Sequence, residues 1–197
     1  MNIYKEEWWP TPVWYNDSSI DEIDFKKIVQ ECYFQKNLDP AGRAKSNRNG
    51  WQSQSFDLST FNNNTEIIKL IKQIENVASQ IFNDFGILKK IPAELGNFWI
   101  NINQPASFNV AHVHSNSVVS GVCYIKSNDQ SGNLILHNRS DSEFINKTYT
   151  DCNNKSTFSD ITYSPIQGRI IFFPGWISHS VGENKSTEDR ISISFNF

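Results

Sequence analysis

The sequence has few cysteines and no long apolar run. Cys32, Cys123 and Cys152 are the three cysteines in 197 residues, and their odd number and wide spacing favour free thiols over a disulfide framework. No run of about eighteen apolar residues occurs, so a membrane-spanning helix is not expected. The N-terminus carries acidic residues and prolines where a secretory signal needs an apolar segment. We therefore expect a soluble, cytoplasmic protein.

An excess of basic residues is also missing. The chain has 18 lysines and arginines against 21 aspartates and glutamates, for a net charge of -3. Neither nucleic acid nor an anionic membrane is an expected partner on these charges. The length suits one domain spanning residues 1–197, with residues 1–96 as an N-terminal helical flank and residues 97–197 as a β-rich core. Whether the protein forms a homodimer stays open.

Two segments have helical periodicity. Asp17 and Ser18 are candidate N-caps for a first helix that continues to about Phe34. A clearer apolar stripe runs from Ile67 to Phe85, and Gly86 follows it as a natural C-cap. Both stripes need an apolar surface to cover, and a sheet is the simplest one.

From residue 97 onward the period changes from helical to two. Strands are predicted at Asn97–Asn103, Phe108–His114, Val118–Lys126, Gly132–Arg139, Ile161–Ser164, Arg169–Phe173 and Arg190–Phe197. Several short strands without intervening helices indicate a mainly β protein with flanking helices, in a sandwich or barrel of the jelly-roll kind. The polar segment from about residue 140 to 160 is interpreted as an insertion or a flexible lid.

The last predicted strand has two contrasting faces. One face is apolar and contains Ile191, Ile193, Phe195 and Phe197, whereas the other is polar and contains Arg190, Ser192, Ser194 and Asn196. If the helices cover the apolar face, the polar face lines the interior of the barrel. A polar, basic interior is costly unless it serves a ligand.

Three of the four histidines form the most informative pattern. His112 and His114 are two positions apart on a predicted strand, which points both rings to the same side, and a jelly roll can bring His179 to them. Imidazole is the commonest protein ligand for transition metals. Structural hydrogen bonding is the alternative for any His-x-His pair, and it is our interpretation of the fourth histidine, His137.

Arg190 and Ser192 would share a strand face and could hold a carboxylate together. An ordinary surface arginine paired with Glu188 or Asp189 is the alternative. The alternation of the strand instead places Arg190 on the interior face, where a buried guanidinium needs an anionic partner. A cosubstrate carboxylate held by two guanidinium hydrogen bonds, with one more from the serine, would provide it.

Several motifs follow one another in a specific order, namely Trp9–Trp14, Ser46–Ser53, Trp99–Asn101, His112–His114, Ser120–Tyr124, Phe172–His179 and Arg190–Asn196. In their order and spacing they resemble the iron(II)- and 2-oxoglutarate-dependent dioxygenases. Within that superfamily the chain is similar to a group of small 2OG-Fe(II) oxygenases of bacteria and their phages. The resemblance covers most of the chain and implies a double-stranded β-helix, which is a jelly roll flanked by helices.

The resemblance also implies the cofactors and the reaction. Iron(II) would bind to His112 and His179, and 2-oxoglutarate and O2 would be consumed while an unidentified substrate is hydroxylated and succinate and CO2 are released. The general pattern has an acidic residue where this chain has His114. We predict that His114 is nevertheless a ligand, and three neutral imidazoles would also suit zinc, copper or nickel. The alternative is that His114 turns away and that water or another side chain fills its position.

The same resemblance assigns the cosubstrate residues. The distal carboxylate of 2-oxoglutarate would lie on Arg190 with Ser192, and Asn101 and Tyr124 would add further hydrogen bonds. Two other classes of function remain open from the sequence. One is a three-histidine metalloprotein that does not use 2-oxoglutarate, either a cupin-type dioxygenase or a zinc hydrolase. The other is a jelly-roll binding module without activity.

The primary substrate cannot be named from the sequence. Specificity in such proteins usually lies in loops, which here are the segments 37–49 and 140–160.

Overall fold

The computed structural model describes residues 3, 10–17, 23–61, 65–138 and 158–197. In these residues two antiparallel sheets face each other, and two helices lie against the larger sheet. The predicted mainly β architecture with flanking helices is therefore confirmed. Most of the predicted insertion or lid, residues 140–157, lies outside the described residues, as does Cys152. No helix in the described ranges is long and apolar enough to span a bilayer.

The first helix, α1, spans Phe25–Leu38 and begins later than predicted. Asp24 is its N-cap, because its carboxylate accepts hydrogen bonds from the amides of Lys26 and Lys27. Asp17, a predicted cap, instead binds the guanidinium of Arg169. The predicted cap Ser18 lies outside the described residues.

The second helix, α2, spans Thr65–Asp84 and agrees with the predicted stripe. Its buried positions, Ile67, Leu70, Ile71, Ile74, Ala78, Ile81 and Phe82, recur every three or four residues. Gly86 follows with a φ of 78°, the left-handed conformation that commonly ends a helix. One apolar stripe therefore places this helix on the protein core.

Eleven strands are present in the described residues: β1 Trp14–Asn16, β2 Asn47–Arg48, β3 Trp51–Gln52, β4 Asn97–Asn103, β5 Phe108–His112, β6 Val119–Lys126, β7 Leu134–His137, β8 Asp160–Tyr163, β9 Ile170–Pro174, β10 His179–Val181 and β11 Arg190–Asn196. Seven correspond to the predicted strands, β4 with the predicted bounds and the other six with shifts at their ends. The short strands β1, β2, β3 and β10 were not predicted. Strand β5 ends at His112, so His114 lies just beyond it.

The six-stranded sheet has the order β1-β9-β6-β11-β4-β3. Strand β11 lies in its middle and pairs with β4 on one side and β6 on the other. Ile191, Ile193 and Phe195 are fully buried in the cluster that includes the two helices. The helices thus cover the apolar face, and the opposite face of the sheet is left for the interior.

The five-stranded sheet has the order β2-β5-β10-β7-β8. Its inward residues include Leu134 and Leu136, which pack with Phe173 and Tyr124 of the larger sheet. Strand β10 lies between β5 and β7, with His179 directly opposite His112. The register of this sheet therefore brings two distant histidines side by side.

Candidate metal and cosubstrate site

A cavity of about 220 Å³ lies between the two sheets. The five-stranded sheet and the turn after β5 contribute His112, His114 and His179 to its lining. The six-stranded sheet contributes a polar surface that includes Arg190 and Ser192. The predicted metal ligands and the predicted carboxylate clamp therefore line one cavity from opposite sides.

The three histidines converge in space. His112 ends β5, His179 begins β10, and the ring centroids of these two are 4.2 Å apart. His114 lies beyond β5, where its amide donates to the carbonyl of Gly175, and its ring centroid is 4.8 Å from that of His179. One candidate ligand atom from each residue lies within 4.8 Å of the other two. Three nitrogen donors in such a cluster form a candidate metal centre.

Backbone carbonyls orient two of the rings. Nδ1 of His112 is 2.9 Å from the carbonyl of Val110, and Nδ1 of His179 is 3.0 Å from the carbonyl of Ile177. A carbonyl only accepts hydrogen bonds, so each Nδ1 carries the proton and each Nε2 keeps its lone pair. This arrangement is common for metal-binding histidines, since the second hydrogen bond fixes the tautomer.

Burial keeps all three imidazoles neutral. Desolvation is the main cause that lowers the pKa of His179 to about 3 and that of His114 to about 4, and it also lowers the pKa of His112. Proximity to His112 lowers the first two further, because two charges would repel. Neutral imidazole is the form that binds metal, so the site is ready to bind a cation at neutral pH.

His114 provides a direct test of whether a metal fits. Its Nδ1 is buried and has no hydrogen-bond partner among the described residues. An orphaned buried nitrogen costs about 1–3 kcal/mol, and a metal ion held by the three residues would supply the missing partner. A hydrogen bond with Asn196 acts to raise the pKa of His114, against the stronger effect of burial. The donor set therefore fits a transition metal.

Arg190 is a buried cation, only 2% exposed. Its Nη1 donates to the carbonyls of Ser131, Gly132 and Gly182 at 2.5, 3.2 and 3.4 Å. These carbonyls hold the guanidinium without neutralising it.

The two acidic neighbours of Arg190 in the sequence have other partners. Glu188 forms an ion pair with Lys126, and Asp189 accepts from the hydroxyl of Tyr33. In the described part of the chain no ion pair involves Arg190, so the surface-pair alternative does not hold. Burial lowers the pKa of Arg190, which means that an incoming anion would be favoured.

Ser192, Asn101 and Tyr124 lie in one row across three strands. Ser192 on β11 is directly opposite Asn101 on β4 and Tyr124 on β6. All three are buried and line the cavity. Burial raises the pKa of Tyr124 to about 12, so its hydroxyl stays protonated and can donate. Arg190 is the inward-facing residue of β11 that precedes Ser192. The predicted cosubstrate residues are therefore brought together in the cavity.

The structure adds two residues, Ser46 and Asn109, that were not predicted as site residues. Ser46, just before β2, has its hydroxyl 3.4 Å from Nε2 of His112, and the same hydroxyl accepts a hydrogen bond from Nδ2 of the Asn109 side chain at 3.1 Å. Both residues line the cavity. Ser46 begins one of the motifs that carry the resemblance, but its place beside His112 could not be predicted, because the two residues are 66 positions apart in the chain.

Three tryptophans were considered as pocket walls from the sequence. Trp99 lines the cavity with its ring 5.4 Å from that of His114. Trp51 is buried in the core under the helices, and Trp176 is 52% exposed. Phe173 forms another wall, 4.7 Å from the ring of His179. Aromatic rings thus border His114 and His179.

His137 lies outside the cavity lining, in agreement with its structural interpretation. Its Nδ1 is 2.6 Å from the carboxylate of Asp160, and its Nε2 is 2.9 Å from the hydroxyl of Ser180. It thereby links β8, β7 and β10. This histidine serves as a natural control for the other three.

Comparison with protein families gives one match. Residues 97–196, just over half of the chain, match the family described as "Putative 2OG-Fe(II) oxygenase". The matched span contains all seven predicted site residues. No curated protein sequence matches the chain.

Solved structures show the same fold at low sequence identity. A prolyl-4-hydroxylase from Pseudomonas putida is 14% identical, with a TM-score of 0.64 over 94% of this chain and 92% of that one. A viral collagen prolyl hydroxylase from Paramecium Bursaria Chlorella virus-1, solved with 2-oxoglutarate, is 12% identical, with a TM-score of 0.58 over 93% and 94%.

A third similar structure is SnoK, a non-heme alpha-ketoglutarate-dependent carbocyclase from nogalamycin biosynthesis. It is 9% identical, with a TM-score of 0.66 over 94% of this chain and 78% of that one. At these identities the similarity concerns the fold alone, the predicted double-stranded β-helix.

Proposed function

Because the chain belongs to the 2OG-Fe(II) oxygenase family, whose cofactors are iron(II) and 2-oxoglutarate, we propose that it hydroxylates a C–H bond of a primary substrate. In this reaction 2-oxoglutarate and O2 are consumed, one oxygen atom enters succinate as CO2 leaves, and the other enters the substrate. The convergence of three neutral imidazoles opposite a buried, unneutralised Arg190 in one cavity carries the proposal.

In this proposal His112, His114 and His179 hold the iron. Two of them present Nε2, since their Nδ1 protons are bound to the carbonyls of Val110 and Ile177. His114 takes the place of the usual carboxylate, and its unpartnered Nδ1 supports this assignment. When bound, iron(II) supplies the means of activating O2, which amino-acid side chains cannot provide.

Arg190 and Ser192 bind the distal carboxylate of 2-oxoglutarate in the same proposal. A guanidinium pairs with a carboxylate through two charge-assisted hydrogen bonds, and the serine hydroxyl adds another. Tyr124 donates from its protonated hydroxyl, and the carboxamide of Asn101 supplies a further hydrogen bond beside it. These groups orient the cosubstrate from the six-stranded sheet toward the histidines of the other sheet.

Succinate release tests the proposal directly. Purified protein with iron(II), 2-oxoglutarate and O2 should produce succinate even without a primary substrate, through slow uncoupled turnover. His179→Ala should reduce the rate by at least about a thousandfold and abolish tight metal binding, because it removes a ligand. His137→Ala is the matched control, since it removes a histidine from outside the cavity.

Two results would count against the proposal. One is a wild-type protein that binds iron(II) but neither binds nor decarboxylates 2-oxoglutarate. The other is an equal loss of succinate release in His137→Ala and His179→Ala. The first result would favour a three-histidine metalloprotein that acts without 2-oxoglutarate.

A further inference from the structure

Among the described residues, the cavity is lined by cationic residues and by no acidic one. Its lining includes Arg190 and Lys45, and no aspartate or glutamate of the described ranges is among the lining residues. The whole chain nevertheless has more acidic residues than basic ones, 21 against 18. The charge of the cavity is therefore opposite in sign to that of the protein.

The candidate metal centre adds to this imbalance. Three imidazoles are neutral, whereas the more usual triad of two histidines and a carboxylate brings one negative charge to the metal. One carboxylate of 2-oxoglutarate would pair with Arg190 and the other would offset one charge of iron(II), so one charge of the metal and that of Lys45 would remain. In a partly buried cavity such charges attract an anion more strongly than they would in water.

Lys45 is held in place at the rim by its own backbone. Its amide donates to Oδ1 of Asn47 at 2.8 Å, and its carbonyl accepts from Arg48 at 3.2 Å. The next carbonyl, that of Ser46, accepts from the amide of Val110 on β5 at 2.9 Å. The segment, with the backbone of Lys45, is thus fixed to the strand that carries His112.

The side chain of Lys45 is exposed and has no ion pair with any described carboxylate. Arg43 and Arg48 flank it within the same six-residue segment, which has no acidic residue. Only Lys45 of the three lines the cavity, so it is the member that can contact a molecule next to the histidines.

Resting on the proposed function, we infer that the primary substrate is a small molecule with an anionic group, a carboxylate or a phosphate, that Lys45 binds at the rim of the cavity. The anion would anchor the substrate while the carbon to be oxidised lies near the three histidines. A polyanion such as nucleic acid fits less well, because the protein has a net charge of -3 and a pI of about 5.8.

The test uses the protein loaded with Mn(II), which is paramagnetic and stable in air, with and without 2-oxoglutarate. Inorganic phosphate is the probe, and 31P NMR relaxation reports how much of it lies near the metal. We expect saturable relaxation enhancement with phosphate and none with the neutral trimethyl phosphate. Lys45→Gln should weaken phosphate binding at least about fivefold, and added salt should weaken it in the wild type.

Lys26→Gln is the matched control, because it removes an equal charge from an exposed lysine on α1, the helix against the outer face of the larger sheet. Equal phosphate affinity in the two lysine variants would overturn the inference, as would comparable enhancement by trimethyl phosphate. A single-stranded oligonucleotide that displaces phosphate at lower concentration would overturn its small-molecule part.

Failure of the two proposals can be distinguished. If the wild-type protein binds no 2-oxoglutarate, the proposed function fails, and the phosphate titration with Mn(II) alone still tests the role of Lys45. If 2-oxoglutarate binds to all variants but phosphate binding is insensitive to Lys45→Gln, only the further inference fails. Acetate added as a competitor in the phosphate titration shows whether the site prefers a carboxylate or a phosphate.

Discussion

The two faces of the six-stranded sheet differ in chemistry although they share the same strands. On β11, Ile191, Ile193 and Phe195 point to the helices and are fully buried among apolar side chains. The alternate residues Arg190 and Ser192 are buried just as deeply, but they line the cavity between the sheets. Burial alone therefore does not distinguish the two faces.

The difference lies in what satisfies the buried groups. The apolar face needs only close packing, as in the contact of Phe195 with Phe172, whose ring centroids are 5.0 Å apart. On the polar face, the guanidinium of Arg190 donates to three carbonyls and pairs with no carboxylate in the described part of the chain. One face thus stabilises the fold, and we propose that the other binds a ligand. Mutations on alternate positions should separate stability from binding.

The largest effect is expected for Phe195→Ala. Removing a fully buried phenyl ring leaves a cavity in the core and should lower the free energy of unfolding by about 3–5 kcal/mol. Urea denaturation measures this loss. The folded protein should keep its affinity for 2-oxoglutarate, and Phe34→Ala, at a side chain that is 53% exposed, should have little effect on either quantity.

Arg190→Leu should have the opposite effect, since it should weaken the binding of 2-oxoglutarate and leave the protein folded. Without the cation, 2-oxoglutarate should bind about a hundredfold more weakly, as expected when one partner of a buried charge pair is removed. Isothermal titration calorimetry with Mn(II)-loaded protein measures the affinity, and circular dichroism checks that the protein folds. Arg169→Leu, which removes an arginine paired with Asp17, is the control. Unchanged affinity in Arg190→Leu would refute the assignment of the clamp.

Ser192→Ala should have a smaller effect on the same equilibrium. One neutral donor to a carboxylate is lost while Arg190 remains, so the affinity for 2-oxoglutarate should fall by about three- to tenfold. Ser194→Ala is the control. Ser194 is the next inward-facing residue of β11, and its hydroxyl accepts a hydrogen bond from the side chain of Asn101 at 3.0 Å. An equal loss in both variants would show a general effect of the polar face and not a specific contact.

The smallest effect is expected for His137, on the outer side of the five-stranded sheet. His137→Ala removes the hydrogen bonds to Asp160 and Ser180, both on partly exposed groups, and should cost about 1 kcal/mol or less in unfolding free energy. Its affinities for Mn(II) and 2-oxoglutarate should equal those of the wild type. A tenfold loss of metal affinity would mean that this hydrogen-bonded link positions the neighbouring His179.

Much of this arrangement could be predicted from periodicity. The period of two along β11 predicted both faces correctly, and the apolar stripe of α2 with Gly86 predicted that helix nearly to its ends. These patterns are local, so a single sequence records them. The grouping of His112, His114 and His179 was also predicted, because a jelly roll places such strands side by side.

The features that were missed depend on distant partners. Asp17 is a plausible helix cap in its local sequence, but its carboxylate binds Arg169, 152 residues away. Strand β2 has only two residues, and it forms because Asn47 and Arg48 pair with β5. Two residues are too few to show a period, so the position of the neighbouring Ser46 beside His112 could not be read from the sequence.

The position of β11 has a consequence for biosynthesis. It is the last of the described strands in chain order, yet it lies in the middle of its sheet between β4 and β6. A nascent chain that has not yet reached residue 190 lacks the strand that joins these two, and it also lacks Arg190. The six-stranded sheet can therefore close only after this strand has been synthesised, so the closure of the sheet and the placement of Arg190 beside the cavity depend on the same segment.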